Sequence, residues 1–216
     1  MISAQNIEKS FGSLKVLKGI SIEVKQNEIV SIVGASGAGK TTLLHIIGTL
    51  EKPDSGKVFF NQKDVFAFND RQKSLFRNKE IGFVFQFHHL LPEFNALENV
   101  MMPALIGGIS KKEAEAKALE LMEYLGVAER KTHKPTQMSG GEQQRVAVAR
   151  ALVNSPGVLL ADEPSGNLDS KNADELHQLF VKLRNEKNQT IVIITHNKDL
   201  AGIGDRILEM KDGRFV

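Results

Sequence analysis

The sequence predicts an α/β fold with a mixed, largely parallel sheet, and three observations carry that expectation. "GVLLAD" (157–162) and "TIVIITH" (190–196) are continuous apolar runs without alternation, the pattern of strands buried on both faces. Helical "DELHQLFVKLRNEK" (174–187) lies between them, so strand, helix and strand succeed one another as in a parallel crossover. "GASGAGKT" (34–41) satisfies G-x-x-x-x-G-K-[ST], directly after an apolar strand and at the opening of a helical pattern.

The remaining elements follow in order. "SIEVKQNEIVSIVG" (21–34) reads as two short strands around a polar turn, and "KTTLLHIIGTL" (40–50) as a helix. "EKPDSGKVFF" is a turn into a strand, and "EIGFVFQ" (80–86) is strand-like. In "SKKEAEAKALELMEYLG" (110–126), Ser110 and Glu113 predict a capping box, Ala118, Leu121, Met122 and Leu125 share one face, and Gly126 stops the helix. "DRILEMKDGRFV" predicts a closing hairpin. From Pro92 to Leu152 every signal is helical. That predicts one domain over 1–216, with a helical subdomain (92–152) inserted into a core formed by 1–91 and 153–216.

Composition narrows the partners. Of 216 residues, 41% are hydrophobic, enough for a sizeable core, and a net charge of +2 leaves no basic stripe for nucleic acid. Without cysteine there is no disulfide framework and no thiol metal site. No signal peptide is visible at the N-terminus, and no apolar run approaches the ~18–20 residues that span a bilayer. A soluble chain is expected, reaching a membrane only through a partner.

The chemistry concentrates in a few stretches. In 34–41 the glycines let the backbone N–H groups of Gly34, Ala35, Ser36, Gly37, Ala38 and Gly39 wrap phosphates. Lys40 supplies a point charge to the β- and γ-oxygens and Thr41 a hydroxyl to Mg²⁺, and Thr42 is counted with them among the nucleotide-binding residues. In "VLLADEP" (158–164) an acid pair ends a buried strand. Asp162 is placed to hold Mg²⁺ through water, and Glu163 to take a proton from an attacking water. His196 ends the next strand, within reach of a γ-phosphate. Gln86 ends "IGFVFQ", where it can ligate Mg²⁺ and position water. The adjacent pair His88–His89 is not read as a metal site, because neighbouring side chains point apart. "KPTQMSGGEQQRVAVARAL" (134–152) raises a question of its own. Ser139 and Glu142 form a capping box, yet Gly140 and Gly141 weaken the first turn by about 1 kcal/mol each relative to alanine. A bare helix N-terminus attracts an anion, and the residues alone leave open whose anion that is.

Taken together, the loop at 34–41, Gln86, "SGGEQ" (139–143), "LLADEP", "SGNLD" (165–169) and His196 come in the order seen in ABC-type ATPase subunits, and the chain resembles that family over essentially its whole length. The resemblance implies a P-loop NTPase core with an N-terminal antiparallel β portion, ATP and Mg²⁺ as cofactors, and hydrolysis of ATP. It also implies a homodimer in which Ser139, Gly140, Gly141, Glu142 and Gln143 meet the ATP bound by the other copy, with "SGNLD" crossing the interface. Phe11 takes the position of the aromatic that stacks on adenine, flanked by Val16. "FQFHHLLPEFNALENVMMPALI" (85–106) and the short length resemble the lipoprotein-releasing and macrolide-exporter group. In that group the region from Gln86 to Leu97 receives a helix of an integral membrane permease. Leu90, Leu91, Pro92, Phe94 and Leu97 either line that groove or fill the junction between subdomains. Such a subunit sits peripherally on the cytoplasmic side of the inner membrane. The alternatives are a regulatory ATPase of cell division acting on cell-wall hydrolases, which would share the same motifs, and a soluble ABC ATPase acting on DNA or ribosomes. The latter would bring paired cassettes, coiled coils or basic additions, none of which is visible.

Overall fold

The apolar runs at 158–162 and 190–194 lie side by side as parallel strands in the middle of a six-stranded sheet. A computed structural model describes residues 1–216. In chain order its elements are β1 (Ile2–Phe11), β2 (Leu14–Val24), β3 (Ile29–Val33), α1 (Lys40–Ile47), β4 (Ser55–Phe60), β5 (Lys63–Asp64), α2 (Asp70–Glu80) and β6 (Ile81–Phe85). They continue as α3 (Ala96–Ile106), α4 (Lys111–Tyr124), α5 (Gly140–Leu152), β7 (Val158–Asp162), α6 (Ser170–Lys187), β8 (Thr190–Ile194), α7 (Lys198–Gly202), β9 (Arg206–Lys211) and β10 (Arg214–Phe215). The large sheet runs β10-β9-β3-β8-β7-β6, parallel throughout except for the terminal β9–β10 hairpin. A second sheet, β2-β1-β4-β5, is antiparallel.

Period-2 side-chain alternation divides the interior in two. Ile191 and Ile193 of β8, with Leu159 and Ala161 of β7, face a core closed by α3, α4, α5 and α6. Val192 and Ile194, with Val158 and Leu160, face the opposite core, closed by α1 and the antiparallel sheet. Each fully buried aliphatic side chain contributes about 1.5–3 kcal/mol, and every residue of β8 is buried. That two-sided burial is what made the run legible as a central strand. No helix is long and apolar enough to cross a membrane.

Several expectations need adjustment. The two strands read in 21–34 are present, but the first begins earlier, at Leu14, and they lie in different sheets, β2 in the antiparallel one and β3 in the parallel one. Ser110 caps α4 by accepting from the Glu113 N–H, but the Glu113 carboxylate turns to Lys117, so only half of the expected box forms. Gly126, at φ 71°, does follow the helix end in the left-handed region that glycine tolerates. The helix read from Asp174 starts a turn earlier, at Ser170, because Asp169 caps it. Four elements carry no sequence expectation: β1, β5, α2 and α7.

Candidate active site

Parallel strands deliver their C-terminal ends to one edge of a sheet, where loops can converge on a ligand. Here β3 ends in the glycine-rich loop, β6 is followed by Gln86, β7 ends at Asp162 with Glu163 next, and β8 is followed by Thr195 and His196. These ends enclose a cleft of about 730 Å³. Of the residues expected to bind nucleotide or metal, the cleft is lined by Phe11, Val16, Gly34, Ala35, Ser36, Gly37, Gly39, Lys40, Thr41, Thr42, Gln86, Asp162, Glu163 and His196. Ala38 is the exception among the loop residues: it is buried beneath the turn, its N–H bonded to the Ala35 carbonyl at 3.2 Å, and is absent from the lining.

The loop is built for glycine. Gly34 lies at φ 149°, and a Cβ there would stand 2.1 Å from the Met210 carbonyl oxygen. Gly39, at φ 101°, precedes α1 with no side-chain cap, so the first N–H groups of that helix face the cleft unsatisfied. The Lys40 ammonium is buried under the loop and donates to the carbonyls of Gly34 and Ala35 at 2.8 and 2.9 Å. Phe11 ends β1 at the rim, about half exposed, with the Lys9 ammonium 5.2 Å from its ring centre.

Behind the loop the carboxylates differ. Burial raises the Asp162 carboxyl above its usual value, opposed by a hydrogen bond from Thr41. Thr41, Asp162 and Gln86 together present a hydroxyl, a carboxylate and an amide oxygen, a hard oxygen donor set of the kind Mg²⁺ takes. The residues therefore fit that ion. The Gln86 amide is steered from the other side, donating to Asn167 Oδ1 at 3.1 Å while Asn167 donates back to the Gln86 carbonyl at 3.2 Å. Glu163 adopts φ 45°, a left-handed conformation rare for a side chain of its size. That turn points its carboxylate at the end of β8, where Oε1 lies 2.7 Å from His196 Nδ1 and Oε2 accepts from the Thr195 hydroxyl at 3.1 Å.

The signature residues stand apart from this cleft; none of Ser139, Gly140, Gly141, Glu142 and Gln143 lines it. The capping box at Ser139 and Glu142 is complete. The Ser139 hydroxyl donates to Glu142 Oε2 at 2.9 Å, and Arg130 Nε donates to the other carboxylate oxygen at 2.6 Å. That Arg130 contact, with the hydrogen bonds from Ser139, lowers the Glu142 carboxyl to about 2. Gly140 is exposed, whereas Gly141 packs against Asn172. The Gln143 amide donates to the Met138 carbonyl at 3.0 Å.

The region after Gln86 divides. Leu90 and Leu97 are partly buried against the helical core, while Leu91, Pro92 and Phe94 remain at the surface with Phe87. His88 and His89 are tied down through their carbonyls, both of which accept from Arg150. Sequence reasoning missed two buried groups. Thr195 carries no motif of its own. Gln144 follows the signature and donates to the Pro164 carbonyl at 2.6 Å; only its burial distinguishes it from its neighbours.

Residues 17–166 match the family model described as ABC transporter. The chain is 59% identical, over the full length of both, to the "Lipoprotein-releasing system ATP-binding protein LolD" of Bacteroides fragilis. It superposes with a TM-score of 0.91 and 40% identity on the dimeric structure of a bacterial ABC transporter cassette, covering 100% of this chain and 96% of that one. The same cassette in a dimeric post-hydrolysis state bound to ADP and Pi matches with the same TM-score, identity and coverage. Strand order, cleft and comparisons agree: the chain belongs to the ABC transporter family and has the P-loop ATPase fold of its cassettes.

Proposed function

We propose that this chain is the ATP-hydrolysing subunit of a lipoprotein-releasing ABC transporter. The observation that carries the catalytic part is Glu163, whose backbone turn aims a carboxylate into the phosphate-loop cleft beside His196. Adenine stacks on Phe11 beside Val16, and the triphosphate lies in the loop from Gly34 to Thr42. There the helix N–H groups and Lys40 bear its charge. Glu163 accepts the proton of the attacking water, the water oxygen bonds to the γ-phosphorus, and the bond to the β-phosphate oxygen breaks. His196 stabilises the charge that develops on the γ-phosphate. Thr41, Gln86 and Asp162 would hold Mg²⁺, which would supply positive charge to the triphosphate.

The Bacteroides fragilis relative named above favours lipoprotein release over a cell-division regulator. The dimeric neighbours support a homodimer in which Ser139, Gly140, Gly141, Glu142 and Gln143 meet the other copy's ATP. The segment 92–152 works as a helical subdomain. The exposed Phe87, Leu91 and Phe94 support docking of an integral permease on the cytoplasmic face of the inner membrane.

Glu163→Gln tests the assignment. ATP binding is retained, hydrolysis falls about a hundredfold or more, roughly 3 kcal/mol of barrier, and the ATP-bound dimer accumulates in light scattering. Normal turnover in this variant would overturn the reading.

A further inference from the structure

Thr195 is fully buried at the end of β8, yet its hydroxyl bonds into the active site. Its Oγ1 makes two hydrogen bonds, accepting from the Asn197 N–H at 3.0 Å and donating to Glu163 Oε2 at 3.1 Å. A hydroxyl carries one hydrogen. A backbone N–H can only donate, so the Asn197 contact occupies an oxygen lone pair and the single proton goes to the Glu163 carboxylate. Both ends of this bond are mounted on rigid backbone. The Thr195 N–H donates to the Ile32 carbonyl on β3 at 3.1 Å, and the Glu163 N–H to the Ile194 carbonyl on β8 at 2.9 Å. Asn197 is itself held as the cap of α7, its side chain accepting from the N–H groups of Asp199 and Leu200.

The other partner of the carboxylate is of a different kind. His196 Nδ1 approaches Oε1 at 2.7 Å, but the imidazole side chain is 73% exposed. An exposed imidazole that also serves the γ-phosphate cannot be relied on to fix Glu163 throughout a turnover. The single Thr195 hydroxyl hydrogen has no second acceptor and no solvent to compete for it.

We propose that Thr195 is a positioning residue for ATP hydrolysis: it anchors Glu163 through Oε2, keeps Oε1 aimed into the cleft, and goes on doing so when His196 engages the nucleotide. This rests on the reading of Glu163 as the proton acceptor. The experiment is steady-state phosphate release with parallel ATP-binding titrations on Thr195→Val, which keeps the branched shape, and on Thr195→Ser, which keeps the hydroxyl. Thr195→Val loses both hydrogen bonds of Oγ1, the one to the Glu163 carboxylate and the one from the Asn197 N–H; kcat falls about tenfold, with the Kd for ATP within about twofold of wild type, and Thr195→Ser, which restores both, recovers most of the rate. In a Glu163→Gln background, Thr195→Val lowers the residual single-turnover rate by less than about twofold, because the group it positions is gone. A residue that merely supports the fold would lower the rate equally in both backgrounds. If Thr195→Val does not fold, Thr195→Cys, a weaker donor, carries the test through a severalfold lower kcat at unchanged ATP affinity. If Glu163→Gln turns over normally, the base assignment fails, whatever Thr195 does. If Glu163→Gln is inactive while the Val and Cys variants keep wild-type kcat, or Ser fails to rescue, the positioning role is overturned.

Discussion

The two glycine-rich stretches of this chain, 34–39 and 139–141, both lead into helix N-termini, yet they are built differently. The first lines a concave cleft, is backed by Lys40, and lies opposite the Asp162 and Glu163 carboxylates at the end of β7. The second opens α5 at the surface, with Ser139 and Gly140 exposed and its own capping box satisfied from within. One is a pocket lined by a single polypeptide; the other is a face without a pocket. The difference teaches that glycine has two uses here. In the loop it permits backbone angles that other residues resist, whereas at Gly140 the backbone is ordinary, and under the proposed dimer what glycine would provide is closeness of approach.

Gly140→Ala is the sharpest way to break that contrast. A Cβ at this position meets only Leu168, at 3.7 Å, so the fold accommodates it. Thermal stability holds or rises, ATP binding by the monomer is unchanged, and hydrolysis falls about tenfold or more as the approach of the second copy's nucleotide is blocked. Wild-type turnover in Gly140→Ala would place the shared site elsewhere. Gly141→Ala, one residue on, has the opposite profile. Its Cβ would stand 2.0 Å from Asn172 Oδ1 and displace a side chain that donates to Asp169. A net stability loss of about 1 kcal/mol follows, read as a lower melting temperature. On the cleft side, Phe11→Ala weakens ATP affinity about three- to tenfold, while Phe11→Tyr stays within about twofold, measured by nucleotide titration. The smallest effect concerns the Arg130–Glu142 pair that braces the signature turn. The Glu142 carboxyl, ordinarily near 4.5, is lowered in the folded chain to about 2. Its stabilisation is therefore complete above the unfolded value and fades as the pH falls toward about 2. Arg130→Ala lowers stability by less than about 1 kcal/mol near neutral pH, because both side chains are partly solvated. The difference from wild type in urea midpoint shrinks across that acid window.

The catalytic elements were legible because their signals are strong and local. A complete G-x-x-x-x-G-K-[ST] between strand and helix, two strands without polar interruption, and a full capping box at Ser139 each translate directly into geometry. What escaped had no such signal. In β1 the buried residues Ile2, Ala4 and Ile7 break period two, because Asn6 enters the left-handed region and the pairing with β2 shifts there. The helix α2 has no buried residue and so shows no apolar stripe, although its Asn69–Gln72 capping box was there to be read. Thr195 escaped for another reason. A threonine at the end of an apolar strand looks like any other, and its hydrogen bond to Glu163 exists only once β7 and β8 lie side by side.

That adjacency has a consequence for how the enzyme keeps its alignment. The β7–β8 ladder pairs Asp162 with Ile194, which puts Glu163 level with Thr195. Sliding β8 by one position would swap the side chains that face its two cores and carry the Thr195 hydroxyl away from Glu163. The backbone ladder is thus the ruler of the chemistry, and the apolar packing of β8 on both faces is what stops the ruler from slipping.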